Sequence, residues 1–272
     1  MPAEALDLRA VRGFVFDVDG TLAHRGPDGR AHPQPGAVEV LDRIRGSGRP
    51  LVLFTNGSHV RSETMARGLR EDGLPIADEE MLTPVDSAVS YLLRHHAGQP
   101  VMLFGTPAVH ERLAEAGIEL TRDGDAGAVL VAHPSEVDLD SLERAARAVT
   151  GGAPLLTGSY ARGYAGAHGI IFSRGAMVTA AIAKVSGRRP RIIGKPSRAA
   201  LAEVSRRLGL PTNEIAVIGD DAGMDIALGR LGGARTVLVR SGMSGEVALQ
   251  TLPPSHRPDA VIDAVADLLA AL

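Results

Sequence analysis

The ten residues Gly13-Phe14-Val15-Phe16-Asp17-Val18-Asp19-Gly20-Thr21-Leu22 decide the fold. Four apolar or small residues, too few for a helix, run straight into two carboxylates one residue apart and then into a glycine turn. A short apolar run closed by turn chemistry is the signature of a strand buried on both faces, as in a parallel sheet. The same design recurs down the chain. Leu51-Val52-Leu53-Phe54 ends in Thr55-Asn56-Gly57-Ser58, Ile193 leads into Gly194-Lys195-Pro196-Ser197, and Val217-Ile218 ends in Gly219-Asp220-Asp221-Ala222-Gly223-Met224-Asp225. In an open α/β sheet ligands bind beyond the carboxyl ends of the strands, which is where each of these polar clusters falls.

Working outward, the apolar runs predict strands at Gly13–Phe16, Pro50–Phe54, Val101–Phe104, Ala128–Val131, Arg191–Ile193, Ile215–Ile218 and Thr236–Val239. Between them, helical periodicity predicts helices over Ala37–Arg45, Ser62–Glu71, Pro84–His95, Leu139–Val149, Met177–Ser186, Arg198–Leu208 and Asp259–Leu272. Ser197 after Pro196 is placed to open the helix that Gly209 closes. Strands alternating with helices give an α/β class with a doubly wound parallel sheet. The residues with chemical potential lie before Ser58 and after Gly194. The stretch between has strands and helices of its own, so the expected organisation is a discontinuous core, 1–81 and 188–272, interrupted by an inserted α/β domain, 82–187. The Gly/Ala-rich stretch Gly158–Gly175 reads as a loop.

Composition narrows the chemistry. The 272 residues carry a net charge of −3 with both signs interspersed, which gives no basic stripe for nucleic acid and no polybasic membrane signal. The absence of cysteine removes disulfides, thiolate nucleophiles and thiolate-bound metals together, leaves oxygen and imidazole chemistry, and fits a cytoplasmic location. No apolar run approaches the roughly 20 residues that span a bilayer, and the first residues carry acids where an export signal needs an apolar segment, so neither export nor membrane insertion is expected. His95, His96 and His133 lack the paired spacing of a zinc helix and read as surface or packing residues.

Taken singly each cluster has a plain reading: a strand ending in a polar turn, a Thr-Asn-Gly turn, a solvent-facing lysine. Their order and their common position at strand ends resemble the four motifs of the haloacid dehalogenase superfamily. The position of the insertion, between the second and third motifs, and its α/β character resemble the NagD-like branch with a type IIA cap, over nearly the whole chain. The resemblance implies a Rossmann-like haloacid dehalogenase fold and a Mg²⁺-dependent phosphatase. In it Asp17 would attack phosphorus, and Asp19 would protonate the leaving alkoxide and then activate water. Thr55, Asn56 and Gly57 would hold phosphoryl oxygens, and Lys195 would bridge the phosphoryl group and the nucleophile. Asp17, Asp220 and the Asp19 carbonyl would bind the metal, with Asp225 holding metal-bound water or Lys195. Asp221 departs from the commoner residue after Gly-Asp and is open between an acid behind the metal and an exposed one.

The resemblance also implies a small phosphorylated metabolite as substrate, since members of the branch act on sugar, glycerol, glycolate, nucleoside, pyridoxal and p-nitrophenyl phosphates, and a homodimer through the cap. The branch commonly has Thr-Asn-x-Asp before its Gly-rich segment, whereas this chain has Thr157-Gly158-Ser159-Tyr160, with no acid. Tyr160, Arg162 and His168 are candidates for the leaving-group pocket, or ordinary loop residues. Two other functions share the motifs: a mutase-like phosphoryl transferase and a non-catalytic phospholigand-binding protein. Only roughly thirty residues separate the first two motifs, where mutase-like relatives carry their cap, and the intact acids and lysine argue against a binding protein.

Overall fold

A computed structural model describes residues 6–166, 169–242 and 249–272. The chain divides into two compact units, one made of 1–55, 62–82 and 196–272, the other of 56–61 and 83–195.

The first unit is built on a six-stranded parallel sheet in the order Ala260–Ile262, Arg235–Val239, Ile215–Gly219, Gly13–Phe16, Leu51–Phe54, Met81–Leu82. Side chains alternate between its faces, and the two cores show it. Phe14, Phe16 and Leu53 enter one cluster with Leu41 and Ile44 of helix Ala37–Gly46 and with Ala66 and Leu69 of helix Ser62–Glu71. Val15, Val52 and Phe54 enter the other with Ala200, Leu201 and Val204 of helix Arg198–Leu208. Apolar residues at every position of a strand are the mark of a sheet covered on both sides, so this is the doubly wound core expected. From Gly13–Phe16 the sheet grows one way through Leu51–Phe54 and the other way through Ile215–Gly219. That reversal opens a crevice at the carboxyl ends of these strands.

The second unit has its own five-stranded parallel sheet, ordered Arg191–Ile192, Leu155–Thr157, Ala128–Val131, Val101–Phe104, Leu120–Thr121. Helices Leu139–Thr150 and Arg174–Ser186 contribute Ala145, Val149 and Ile182 to its core with Val129 and Val131. The Arg191–Ile192 strand pairs in this sheet and not in the first, so the sheet runs past the expected end of the insertion at residue 187. Its entry is sharply fixed. Thr83 caps helix Pro84–His95, and Asp86 Oδ2 accepts hydrogen bonds from both Thr83 N and Thr83 Oγ1 at 2.9 Å.

Ser197 caps helix Arg198–Leu208 through Ala200 N, and Gly209 closes it at φ 67°. Two expectations are corrected. Asp259–Leu272 is not one helix: Ala260–Ile262 extends the first sheet beside Val237–Val239, and Val265–Ala270 forms a 3₁₀ segment. Asp259 forces the change, because its Oδ2 accepts from Thr236 N and Oγ1 at 2.8 Å and locks this residue to the neighbouring strand. The stretch Gly158–Gly175 is not simply a loop: it contains an antiparallel hairpin, Gly163–Gly166 with Gly169–Phe172. Its helix begins at Arg174, ahead of the expected Met177, because Ser173 supplies the cap. Among the described residues no helix is long and apolar enough to cross a membrane.

Candidate active site

Two strand ends of the first unit converge. Asp17 follows Gly13–Phe16, with its N–H donating to Ile218 O at 2.9 Å, and Asp220 and Asp225 follow Ile215–Gly219. One carboxylate oxygen from each of Asp17, Asp220 and Asp225 lies within 4.8 Å of the others. Asp220 and Asp225 are 3% and 2% exposed. Like charges this close and this buried are costly unless a cation or protons offset them. An all-oxygen set of two or three carboxylates suits a hard divalent ion such as Mg²⁺, which keeps waters and ligand oxygens in its remaining positions. The residues present therefore fit that group.

The backbone holds these acids by close approach. Gly20, at φ 96°, lies where an added Cβ would stand 2.5 Å from Asp220 Oδ2. Cβ atoms at Gly242 and Gly219 would overlap the carboxylates of Asp220 and Asp225 respectively. Ser241 Oγ donates to Gly20 O at 2.7 Å and ties the two glycine turns together. Gly242 and Ser241 had not been singled out in the sequence, although they follow the strand Arg235–Val239 at the carboxyl end of a parallel sheet, a position that could have marked them.

Asp221 is half-buried. Its Oδ1 accepts from Gly223 N at 2.7 Å and Met224 N at 3.1 Å, capping a single π-helical turn, Ala222–Ile226, that carries Asp225 back toward the strand end. Its own N–H donates to Asp225 Oδ2 at 3.1 Å. Asp19 stands outside the three-carboxylate group and pairs with Arg25, whose Nε is 3.1 Å from its Oδ1. Thr55 is buried, with its N–H on Leu82 O.

In the second unit, Lys195 is 4% exposed and its main chain is clamped by one side chain. Asn56 Oδ1 accepts from Lys195 N and Asn56 Nδ2 donates to Lys195 O, both at 2.9 Å. Gly194 makes this possible, since a Cβ there would lie 2.7 Å from Asn56 Oδ1 and would overlap Gly158 O. The loop 56–61 carrying Gly57 is fixed further by Thr106 Oγ1 on His59 O at 2.8 Å and by a two-point pair of Arg61 with Glu115 at 2.8 and 2.7 Å. The His59 and His133 rings stand 5.6 Å apart, and burial, with Arg174 as a lesser contribution, holds His133 below the usual histidine range. Tyr160 and Arg162 are exposed between strand Leu155–Thr157 and the hairpin, while His168 lies outside the described residues.

The chain is similar to known proteins over nearly its whole length. A haloacid dehalogenase-like hydrolase profile matches residues 14–119, and a HAD-hydrolase-like profile matches 192–268. The ribonucleotide monophosphatase NagD of Escherichia coli K12 is 29% identical over 95% of this chain and 98% of its own. An acid sugar phosphatase of Staphylococcus aureus is 26% identical over 96% and 99%. The structure of a p-nitrophenyl phosphatase from Archaeoglobus fulgidus superposes with a TM-score of 0.85 at 26% identity, covering 96% and 99%. The chain belongs to the haloacid dehalogenase-like hydrolases. Within them it stands in the NagD-like branch of phosphatases.

Proposed function

We propose that the chain is a Mg²⁺-dependent phosphomonoesterase acting on a small phosphorylated metabolite through an aspartyl phosphate. The observation that carries this is the convergence of Asp17, Asp220 and Asp225 within 4.8 Å at the crevice of the first sheet. Asp17 attacks phosphorus and becomes phosphorylated. Asp19 gives its proton to the leaving alkoxide and takes one from the water that cleaves the acyl phosphate. The Thr55 hydroxyl and the main-chain N–H groups of Asn56 and Gly57 hold phosphoryl oxygens, and Lys195 supplies a positive charge to the same group. Asp17, Asp220, Asp225 and the Asp19 carbonyl would hold the metal, which supplies charge neutralisation to the transferring phosphoryl group.

In this reading the core, 1–81 and 188–272, carries the chemistry and the insertion, 82–187, selects the leaving group, with Tyr160, Arg162 and His168 as its contacts. The reading places the enzyme in the cytoplasm, with two copies pairing through the insertion. Exposed Leu139, Phe172 and Val185 support that pairing, and sedimentation tests it.

The test is phosphate release from a panel of small phosphomonoesters, with Mg²⁺ or with EDTA, for the wild type and for Asp17→Asn, a near-isosteric change that removes the nucleophile. Turnover that needs the metal and disappears in Asp17→Asn is the expected result. Turnover surviving Asp17→Asn would sink the covalent mechanism, and no turnover on any ester, with the protein folded, would sink the phosphatase reading.

A further inference from the structure

Arg25 takes no part in the phosphoryl chemistry above, yet its Nε lies 3.1 Å from Asp19 Oδ1. It stands on a hairpin, Ala23–Arg25 with Ala31–Pro33, that leaves the Asp17–Asp19 loop at once. The hairpin is rigidly placed. Gly20 N donates to Ala23 O at 2.7 Å and Ala23 N to Val18 O at 3.0 Å. On the far strand Asp72 accepts from Ala31 N at 2.7 Å and Arg30 Nε at 2.6 Å. A charged group carried on such a backbone is aimed, where one on a loose loop is not.

The guanidinium is lightly committed. Besides Asp19, its hydrogen bond among the described residues is a long one, from Nη1 to Gly29 O at 3.4 Å. The Arg25 and Asp19 side chains are 50% and 46% exposed. A pair this exposed is only weakly held, so an incoming anion can compete for it. The planar fork of a guanidinium also binds a carboxylate better through two points than through the single Nε contact seen here. Charge makes the same case. Asp17, Asp19, Asp220 and Asp225 surround the strand ends, and a ligand bringing a second negative charge to the Asp19 side meets repulsion unless a cation faces it.

We propose that Arg25 is a specificity-determining residue that receives a carboxylate carried on the leaving-group side of the phosphomonoester. This rests on the phosphomonoesterase reading, in which Asp19 faces the leaving oxygen. On binding, the guanidinium exchanges Asp19 for the ligand's carboxylate and leaves Asp19 to the ester oxygen. With a neutral leaving group the Arg25–Asp19 pair stays closed.

The experiment compares two esters of one carbon skeleton, 3-phosphoglycerate and glycerol 1-phosphate, in the full chain. The wild type favours 3-phosphoglycerate. In Arg25→Gln the ratio of the two kcat/KM values falls about tenfold or more, as expected for losing a charged hydrogen-bonded contact, and Arg25→Lys lies between. An unchanged ratio, or equal losses on both esters, overturns the assignment. Calorimetric binding of the same two ligands to Asp17→Asn, with and without Arg25→Gln, separates the two failures. A binding preference lost with Arg25, where the wild type turns over no ester of the panel, sustains the role of Arg25 and defeats the phosphatase reading. Absence of binding, or of preference, defeats the Arg25 proposal.

Discussion

Gly242 lies so close to Asp220 that a methyl group there would overlap the carboxylate, and Gly20 crowds the same carboxylate oxygen. Gly242→Ala therefore turns Asp220 away from Asp17 and Asp225 without touching any of the three. Displacing the support of a metal-binding side chain costs about 10- to 100-fold in metal affinity. The expected outcome is a rise of that size in the Mg²⁺ concentration that half-maximally protects the protein against thermal unfolding, with the unfolding temperature in EDTA little changed. Equal Mg²⁺ protection in variant and wild type would show that Gly242 does not position Asp220. Asp17, Asp220 and Asp225, which the structure brings together, could be picked out from the sequence because their segments close apolar runs. The Asn56 clamp could not, since it acts on Lys195, 139 residues along the chain, and leaves no local pattern.

At the scale of the element, the turn Ala222–Ile226 shows how local chemistry sets a functional angle. A π-helical turn makes poorer hydrogen bonds than an α-helix and persists where something holds it. Here Asp221 does so, through Gly223 N and Met224 N. Asp221→Ala removes an N-cap and should lower stability by about 1 kcal/mol, while Asp221→Ser retains most of it. Urea unfolding of the three proteins checks this, and an alanine variant as stable as wild type would mean that the turn is held elsewhere. Elements of this size mark the limit of pattern reading. Buried strands such as Ala128–Val131 announce themselves by apolar runs, whereas Met81–Leu82 and Leu120–Thr121 are two residues long and owe their existence to the strand beside them. Asp259–Leu272 has the Ala and Leu content of a helix, yet pairing with Val237–Val239 outweighs that propensity.

For the whole molecule, connectivity sets the order of assembly. The central pairing of the first sheet joins Gly13–Phe16 to Ile215–Gly219, about two hundred residues apart, and long loop closure slows folding. The second sheet draws on residues 101–192 alone. During refolding, amides of Val101–Phe104 and Ala128–Val131 should gain protection from hydrogen exchange before those of Gly13–Phe16 and Ile215–Gly219, as pulse labelling reads directly. Simultaneous protection would mean that the two units form in one step. The α/β class was legible because it depends on repeated apolar runs. The share of each segment in each unit was not, because Asn56–Arg61 joins the second unit through tertiary contacts that short-range periodicity does not register. The Asn56 clamp on Lys195 carries a lesson for anyone building chimaeras from these phosphatases. The insertion is not a cassette with two ends. Its hexapeptide outpost, 56–61, sits upstream on the far side of a helix, so a transplant cut only at 82/83 and 195/196 would leave the recipient's asparagine facing a foreign lysine backbone. Exchange that preserves the junction needs four cuts.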